Sequence, residues 1–143
     1  MPRNLLLVLV CSLAACGTDP SGTAPAGSWH FDATWGSSTN PCTIAGSTLT
    51  LSPGVVGWTG TLKGGTAHCE GIPGESSVPD TEPDAILETI LVTGDSVRFV
   101  IDGGASVFRG RFTENQMDGV VELYTFCQCT GPSSTGTWTA TLP

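Results

Sequence analysis

Trp29-His30-Phe31-Asp32-Ala33-Thr34-Trp35 alternates apolar and polar residues without a break. A period of two puts Trp29, Phe31, Ala33 and Trp35 on one face of an extended strand. The pattern recurs at Val56, Trp58, Gly60 and Leu62, at Val97, Phe99 and Ile101, at Phe108, Gly110 and Phe112, and at Trp138, Ala140 and Leu142. Each run predicts a half-buried strand. Less regular runs over 43–52, 85–93 and 116–126 predict three more, with Glu88 interrupting the apolar parity of the second. Turn signals at Pro53-Gly54, Gly94-Asp95, Gly103-Gly104 and Glu114-Asn115, together with 19 glycines and 10 prolines, leave little room for helix. The expected class is all-β, with eight antiparallel strands.

Short turns between successive strands favour an up-and-down meander, and such a sheet removes its exposed edges by closing into a barrel. A two-sheet β-sandwich is the alternative. Gly27-Ser28-Trp29 opens the first strand and Gly136-Thr137-Trp138 opens the last, which points to closure between them. Through Gly27-Ser28-Trp29, a match to the Gly-x-Trp motif of the first strand, the chain resembles the lipocalin and calycin superfamily. That resemblance implies a lipocalin-like barrel carrying a small apolar ligand or lipid. The superfamily's Thr-Asp-Tyr motif and the basic residue beside the last tryptophan are absent here. The inward parity itself argues against a large cavity, because Trp29, Phe31, Trp35, Trp58, Phe99, Phe108, Phe112 and Trp138 are enough to fill a small barrel.

If the first strand runs upward, the tight turns fall at the bottom and the connections 36–42, 64–84, 103–105 and 128–135 fall at the top. Long loops grouped at one end are where a β-scaffold carries function. The 64–84 loop holds Glu70, Glu75, Asp80, Glu82 and Asp84, and these form the candidate binding rim. Asp80-Thr81-Glu82-Pro83-Asp84 lacks the glycine and distal glutamate of an EF-hand, so a solvated acidic loop is expected rather than a calcium site. Cys42, Cys69, Cys127 and Cys129 reach the same rim. In an exported protein four such cysteines allow two disulfides in three connectivities. Because Cys127 and Cys129 lie near the outer limit for direct bridging, each is expected to bridge to Cys42 or Cys69, with Cys42–Cys69 plus Cys127–Cys129 as the alternative. The paired Cys-x-x-Cys spacing of a zinc site is absent, so no metal is expected at His68 and its neighbouring cysteines.

Export is read from the N-terminus. Arg3 supplies positive charge, Leu5, Leu6, Leu7, Val8, Leu9 and Val10 an apolar core, and Leu13-Ala14-Ala15-Cys16 resembles the processing site of bacterial lipoproteins. The resemblance implies a signal peptide over 1–15, removed by a dedicated peptidase, with acyl chains such as palmitate on Cys16. Two or three such chains give stable membrane anchoring. Gly17 after Cys16 implies outer-membrane sorting in a Gram-negative cell, and otherwise the outer face of the cell membrane. Residues 16–27 then form a lipidated, flexible tether and 28–143 a single domain. Its size suits one core.

Without Arg3, four basic residues stand against thirteen acidic ones, a net charge of minus nine. Nucleic acid is a poor partner for that field, and a cationic protein is a better one. There is no Gly-x-Ser-x-Gly elbow, and only His30 and His68 supply imidazole. No enzyme and no cofactor is expected. Arg98, Arg109 and Arg111 take outward parity and are expected to pair with Asp32, Glu122 or Asp102. The chain thus reads as a monomeric, lipid-anchored binding module of the cell envelope, working through its loop rim. Carriage of a small apolar ligand and inhibition of a cationic secreted enzyme are the alternatives.

Overall fold

A computed structural model describes residues 25–37, 40–70, 82–124 and 133–143. They form ten strands, β1 (Gly27–Ser37), β2 (Asn40–Gly54), β3 (Gly57–Lys63), β4 (Thr66–Cys69), β5 (Asp84–Ile86), β6 (Glu88–Thr93), β7 (Ser96–Ile101), β8 (Ser106–Phe112), β9 (Gln116–Leu123) and β10 (Ser134–Thr141). The order around the sheet is β5-β3-β2-β1-β10-β9-β8-β7-β6, with β4 beside β2. The first and last strands pair, with Ala33 opposite Trp138. Leu87, between β5 and β6, donates its N–H to the Gly60 carbonyl of β3 at 3.0 Å. The two ends of the sheet therefore meet, and the result is a nearly closed antiparallel barrel rather than two packed sheets. Among the described residues no helix is long and apolar enough to cross a membrane.

Ten strands stand where eight were expected because two stretches break. After β3, Gly64 and Gly65 both take left-handed backbone, φ 69° and 75°, a conformation open to glycine at little cost. A side chain on Gly65 would meet the Ala45 carbonyl oxygen at 2.4 Å. The chain resumes as β4, inside the 64–84 stretch read as loop, and pairs with the upper half of β2. That half has itself changed parity. Gly46, at φ 68°, donates to Asp32 Oδ1 at 2.9 Å, and this bulge lets Ile44, Ser47, Leu49 and Leu51 all turn inward. Ser47 is fully buried, and its hydroxyl donates to the Gly64 carbonyl at 2.8 Å, locking the two irregularities together.

The second break explains Glu88. Leu87 and Ile90 are both buried while Glu88 and Thr89 are exposed, so an extra residue has slipped the parity. Thr89 absorbs it at φ 48°, and the register of β6 against β7 shifts there. The Glu88 carboxylate accepts from the Gly103 N–H at 3.4 Å.

The core is aromatic, as the inward parity predicts. Phe31, Phe99, Phe108 and Trp138 are each no more than 2% exposed. Phe99 and Phe108 stack at 4.8 Å, and Phe31 stacks on Trp138 at 5.8 Å. Trp35 and Trp58 pack against this core while half-buried. Val56 departs from its expected inward position: it sits in the turn before β3 and is 99% exposed. Pro25, read as tether, is fully buried and accepts a 3.1 Å hydrogen bond from Trp29 Nε1, and Gly27 already belongs to β1.

Cys42 and Cys69 are joined by a disulfide, which overturns the favoured pairing of each with Cys127 or Cys129. The cause is register: β4 lies antiparallel to β2 with Cys69 directly opposite Cys42, so their Cα atoms are 4.0 Å apart. Cys127, Cys129 and the whole of 1–24, Cys16 included, lie outside the described residues.

Candidate functional site

Above the aromatic core the barrel widens into a cavity of about 240 Å³. Phe108 ties this cavity to the core below, being both one of its walls and part of the stack with Phe99. The other walls come from the upper ends of the strands. β1 contributes Trp35, the last inward residue of the alternation that begins at Trp29, and β2 contributes Ile44, turned inward by the bulge at Gly46. Ala67 of β4 faces the same space, as do Val121 and Leu123 of β9. The break at Gly64-Gly65 thus has a consequence for the site: it brings a small side chain, Ala67, to a wall where an uninterrupted β3 would have ended.

Among the described residues, Asp84, Asp102 and Ser106 are the polar residues that line the cavity, and no basic side chain does. Asp84 forms an ion pair with Lys63 at 3.3 Å, with both side chains more than half exposed. Such a pair in water contributes little to stability, roughly 0–1 kcal/mol, and leaves Asp84 free to exchange partners. Asp102 opens the 3-10 turn Asp102–Gly104 in left-handed backbone, φ 57°. That turn caps the end of β7 beside the cavity. The Gly64 N–H donates to the Pro83 carbonyl at 3.0 Å, which fixes the chain just before β5 against the β3 break.

The candidate rim residues divide. Glu70, Glu82 and Asp84 are exposed, and Asp84 alone of these lines the cavity. Glu75 and Asp80 lie outside the described residues. Glu70 is held by its backbone, which donates to the Pro41 carbonyl at 3.0 Å beside the disulfide. Sequence reasoning missed Asp102, Ser106, Ile44 and Ala67. Asp102 was read only as an outward ion-pair partner for the arginines, and Ile44 and Ala67 depend on parity shifts that no local pattern announces. Among the described residues no group of three His, Cys, Asp or Glu side chains is placed to hold a metal ion.

On the outer face, Arg98 stands directly opposite Arg109 across β7 and β8. Arg109 reaches Glu122 at 3.2 Å, as expected, whereas Arg111 takes Asp95 at 3.3 Å. Asp32 is occupied by Gly46 and by His30 at 3.8 Å. The Tyr124 hydroxyl donates to Glu122 Oε2 at 3.1 Å. Partial burial, then the hydrogen bond to Glu122 and that carboxylate's charge, hold the Tyr124 phenol above its ordinary value of 10.0, against the smaller opposing pull of Arg109 and Arg98. A raised phenol value means that the fold favours the neutral form, so its contribution to stability is present below the ordinary value and is lost as pH rises through the folded-state one. Tyr124 is the only tyrosine in the chain, so an absorbance titration at alkaline pH reads it alone. Glu122→Gln should bring its ionisation back towards the ordinary range. An unshifted native titration would mean that the Tyr124–Glu122 contact does not persist in solution.

Comparison with protein-family models, with curated proteins and with solved structures finds no match to the chain.

Proposed function

We propose that this chain is a lipid-anchored, non-enzymatic binding module of the bacterial cell envelope, held to the membrane through Cys16 and working at the upper end of its barrel. The observation that carries the reading is the apolar cavity at that end. A cavity of about 150 Å³ suffices to hold benzene, so one of about 240 Å³ suits a compact apolar group. It is too small for a long lipid chain or a large drug-like molecule, whose sites run from about 300 Å³ upward. Below it the barrel is filled by Phe31, Phe99, Phe108 and Trp138. Counting β3 with β4 and β5 with β6 as single positions gives an eight-position, lipocalin-like barrel, consistent with Gly27-Ser28-Trp29 at the head of β1. In this reading the ligand is taken at the mouth and not in a deep interior.

The flanking carboxylates give the reading its second part. Asp84 and Asp102 at the cavity, with Glu70 and Glu82 at the same end, favour a cationic partner and repel an anionic one. An apolar group inserted from a cationic secreted enzyme would make the module an inhibitor, and that form of the reading predicts association that weakens as salt screens the charge.

Ala67→Leu tests the site. The added carbons enter the cavity from its β4 wall, and an overpacked pocket loses about tenfold in affinity for each 1.4 kcal/mol of strain passed to the ligand. In native mass spectrometry of protein exported through its host's own envelope, the parent chain should retain a bound compact molecule or a protein partner. Ala67→Leu should lose it. Full retention by the variant would place the working surface elsewhere.

A further inference from the structure

From the opposite end of the barrel we infer that the tip of the β2–β3 hairpin, Val55 and Val56, is a membrane contact that seats the anchored barrel upright on its bilayer. The inference rests on the lipid anchor at Cys16. Val55 and Val56 are 104% and 99% exposed, the largest values among the described large hydrophobic residues. Nothing in the hairpin calls for them. Gly54 pairs with Gly57, so the two valines are the whole loop, and Gly57 takes the positive φ, 118°, so the turn places no demand for an apolar side chain on either central residue. A polar pair would serve the turn equally and would keep the tip in water.

The stretch of chain that carries the tip is neutral, and the nearest charges at this end are Asp95 and Glu114 in the other turns. Between Asp32 and Lys63 the chain carries no aspartate, glutamate, lysine, arginine or histidine, although thirteen acidic residues are spread over the rest of the chain. A neutral, apolar tip on an acidic protein can approach lipid headgroups without charge repulsion at the point of contact.

Register places the tip at the end of the barrel where the chain enters it. Gly27, where the chain enters the barrel, pairs with Leu51 of β2, so the hairpin continues about 13 Å past that point before it turns at Val55, at roughly 3.3 Å per residue. Pro25 is fixed beneath Trp29 at the same end. Whatever its conformation, the chain from Cys16 to Pro25 can reach no further than about 30 Å. The anchor therefore holds this end of the barrel close to the bilayer, which keeps the local concentration of the tip there high. Leu142, also exposed, joins the same end, its N–H bonded to the Asn115 carbonyl at 3.2 Å. The cavity at the far end then faces away from the membrane.

The experiment uses the full lipidated chain in phosphatidylcholine vesicles, with Val56→Trp as the reporter and Thr135→Trp, an exposed site at the upper end, as the control. Headgroup-level nitroxide lipids should quench the added Val56→Trp emission and shift it to shorter wavelength in the bilayer, while the Thr135→Trp signal stays unquenched. Adding Val55→Asp should abolish the quenching. If the parent chain floats with vesicles but Val56→Trp is quenched no more than Thr135→Trp, the tip contact is wrong and the anchor stands. If the parent chain does not float, the anchor fails and the tip contact fails with it.

Discussion

Trp138→Ala should lower the stability of the barrel by about 3–5 kcal/mol, the range for removing a large aromatic from a packed core. The indole is 1% exposed and stacks on Phe31 at 5.8 Å while meeting Phe99 and Phe108 edge-on at 5.5 and 6.3 Å. Its Nε1 is shared between the Arg109 and Val120 carbonyls at 3.3 and 3.1 Å. One side chain thus links β10 to β8 and β9 by contact and by hydrogen bonds. Trp138→Phe separates the two contributions, since it keeps an aromatic ring in the core but leaves both carbonyls without the indole donor. Its expected cost is smaller, about 1–3 kcal/mol. Gly110→Ala attacks the same keystone from the other side, because a Cβ there would lie 2.6 Å from Trp138 Cζ2 and 2.2 Å from the Asp118 carbonyl oxygen. Urea unfolding followed by far-ultraviolet circular dichroism gives the numbers without relying on the deleted fluorophore. A loss below about 1 kcal/mol for Trp138→Ala would mean that the four-ring cluster is not what holds the barrel together.

Why that cluster was legible in the sequence while much of the site was not comes down to range. Trp29, Phe31 and Ala33 on one side of an unbroken alternation need only the pleat of a strand to be placed, and Phe99, Phe108 and Trp138 follow the same rule. All six are buried. Closure between β1 and β10 was also readable from the matching Gly-x-Trp segments, although Gly136-Thr137-Trp138 lies inside β10, which begins at Ser134. The alternation fails wherever one residue is inserted. At Gly46, at Gly64-Gly65 and at Thr89 the backbone takes positive φ, and each such step reverses the parity of the side chains before it relative to those after it. Ile44, Ala67 and Ile90 owe their inward positions to these steps, and the first two are cavity walls. Glycine marks two of the three places, yet 19 glycines in the chain offer too many candidates to choose among. Val56 failed for a simpler reason: the alternation that includes it continues one residue past the true start of β3 into the turn.

Removing the Cys42–Cys69 disulfide should cost about 3–4 kcal/mol, from the loop entropy that a bridge spanning 27 residues withholds from the unfolded chain. The unfolded state would expand, so the denaturant slope should rise while the midpoint falls. The local consequence is larger than the global number suggests. β4 is four residues long and, among the described residues, has β2 as its strand partner, so the covalent link is a large part of what fixes it in place. Ala67 lies on that strand and walls the cavity. Exchange of the 66–69 amides should therefore accelerate more than that of β8 or β9 in a Cys42→Ala, Cys69→Ala chain, and ligand retention should fall with it, although neither cysteine lines the cavity. Peptide mapping of the unreduced parent provides the sharper check: it should recover Cys42 linked to Cys69. A link from either to Cys127 or Cys129 would overturn the β2–β4 register, and with it the position of the cavity wall.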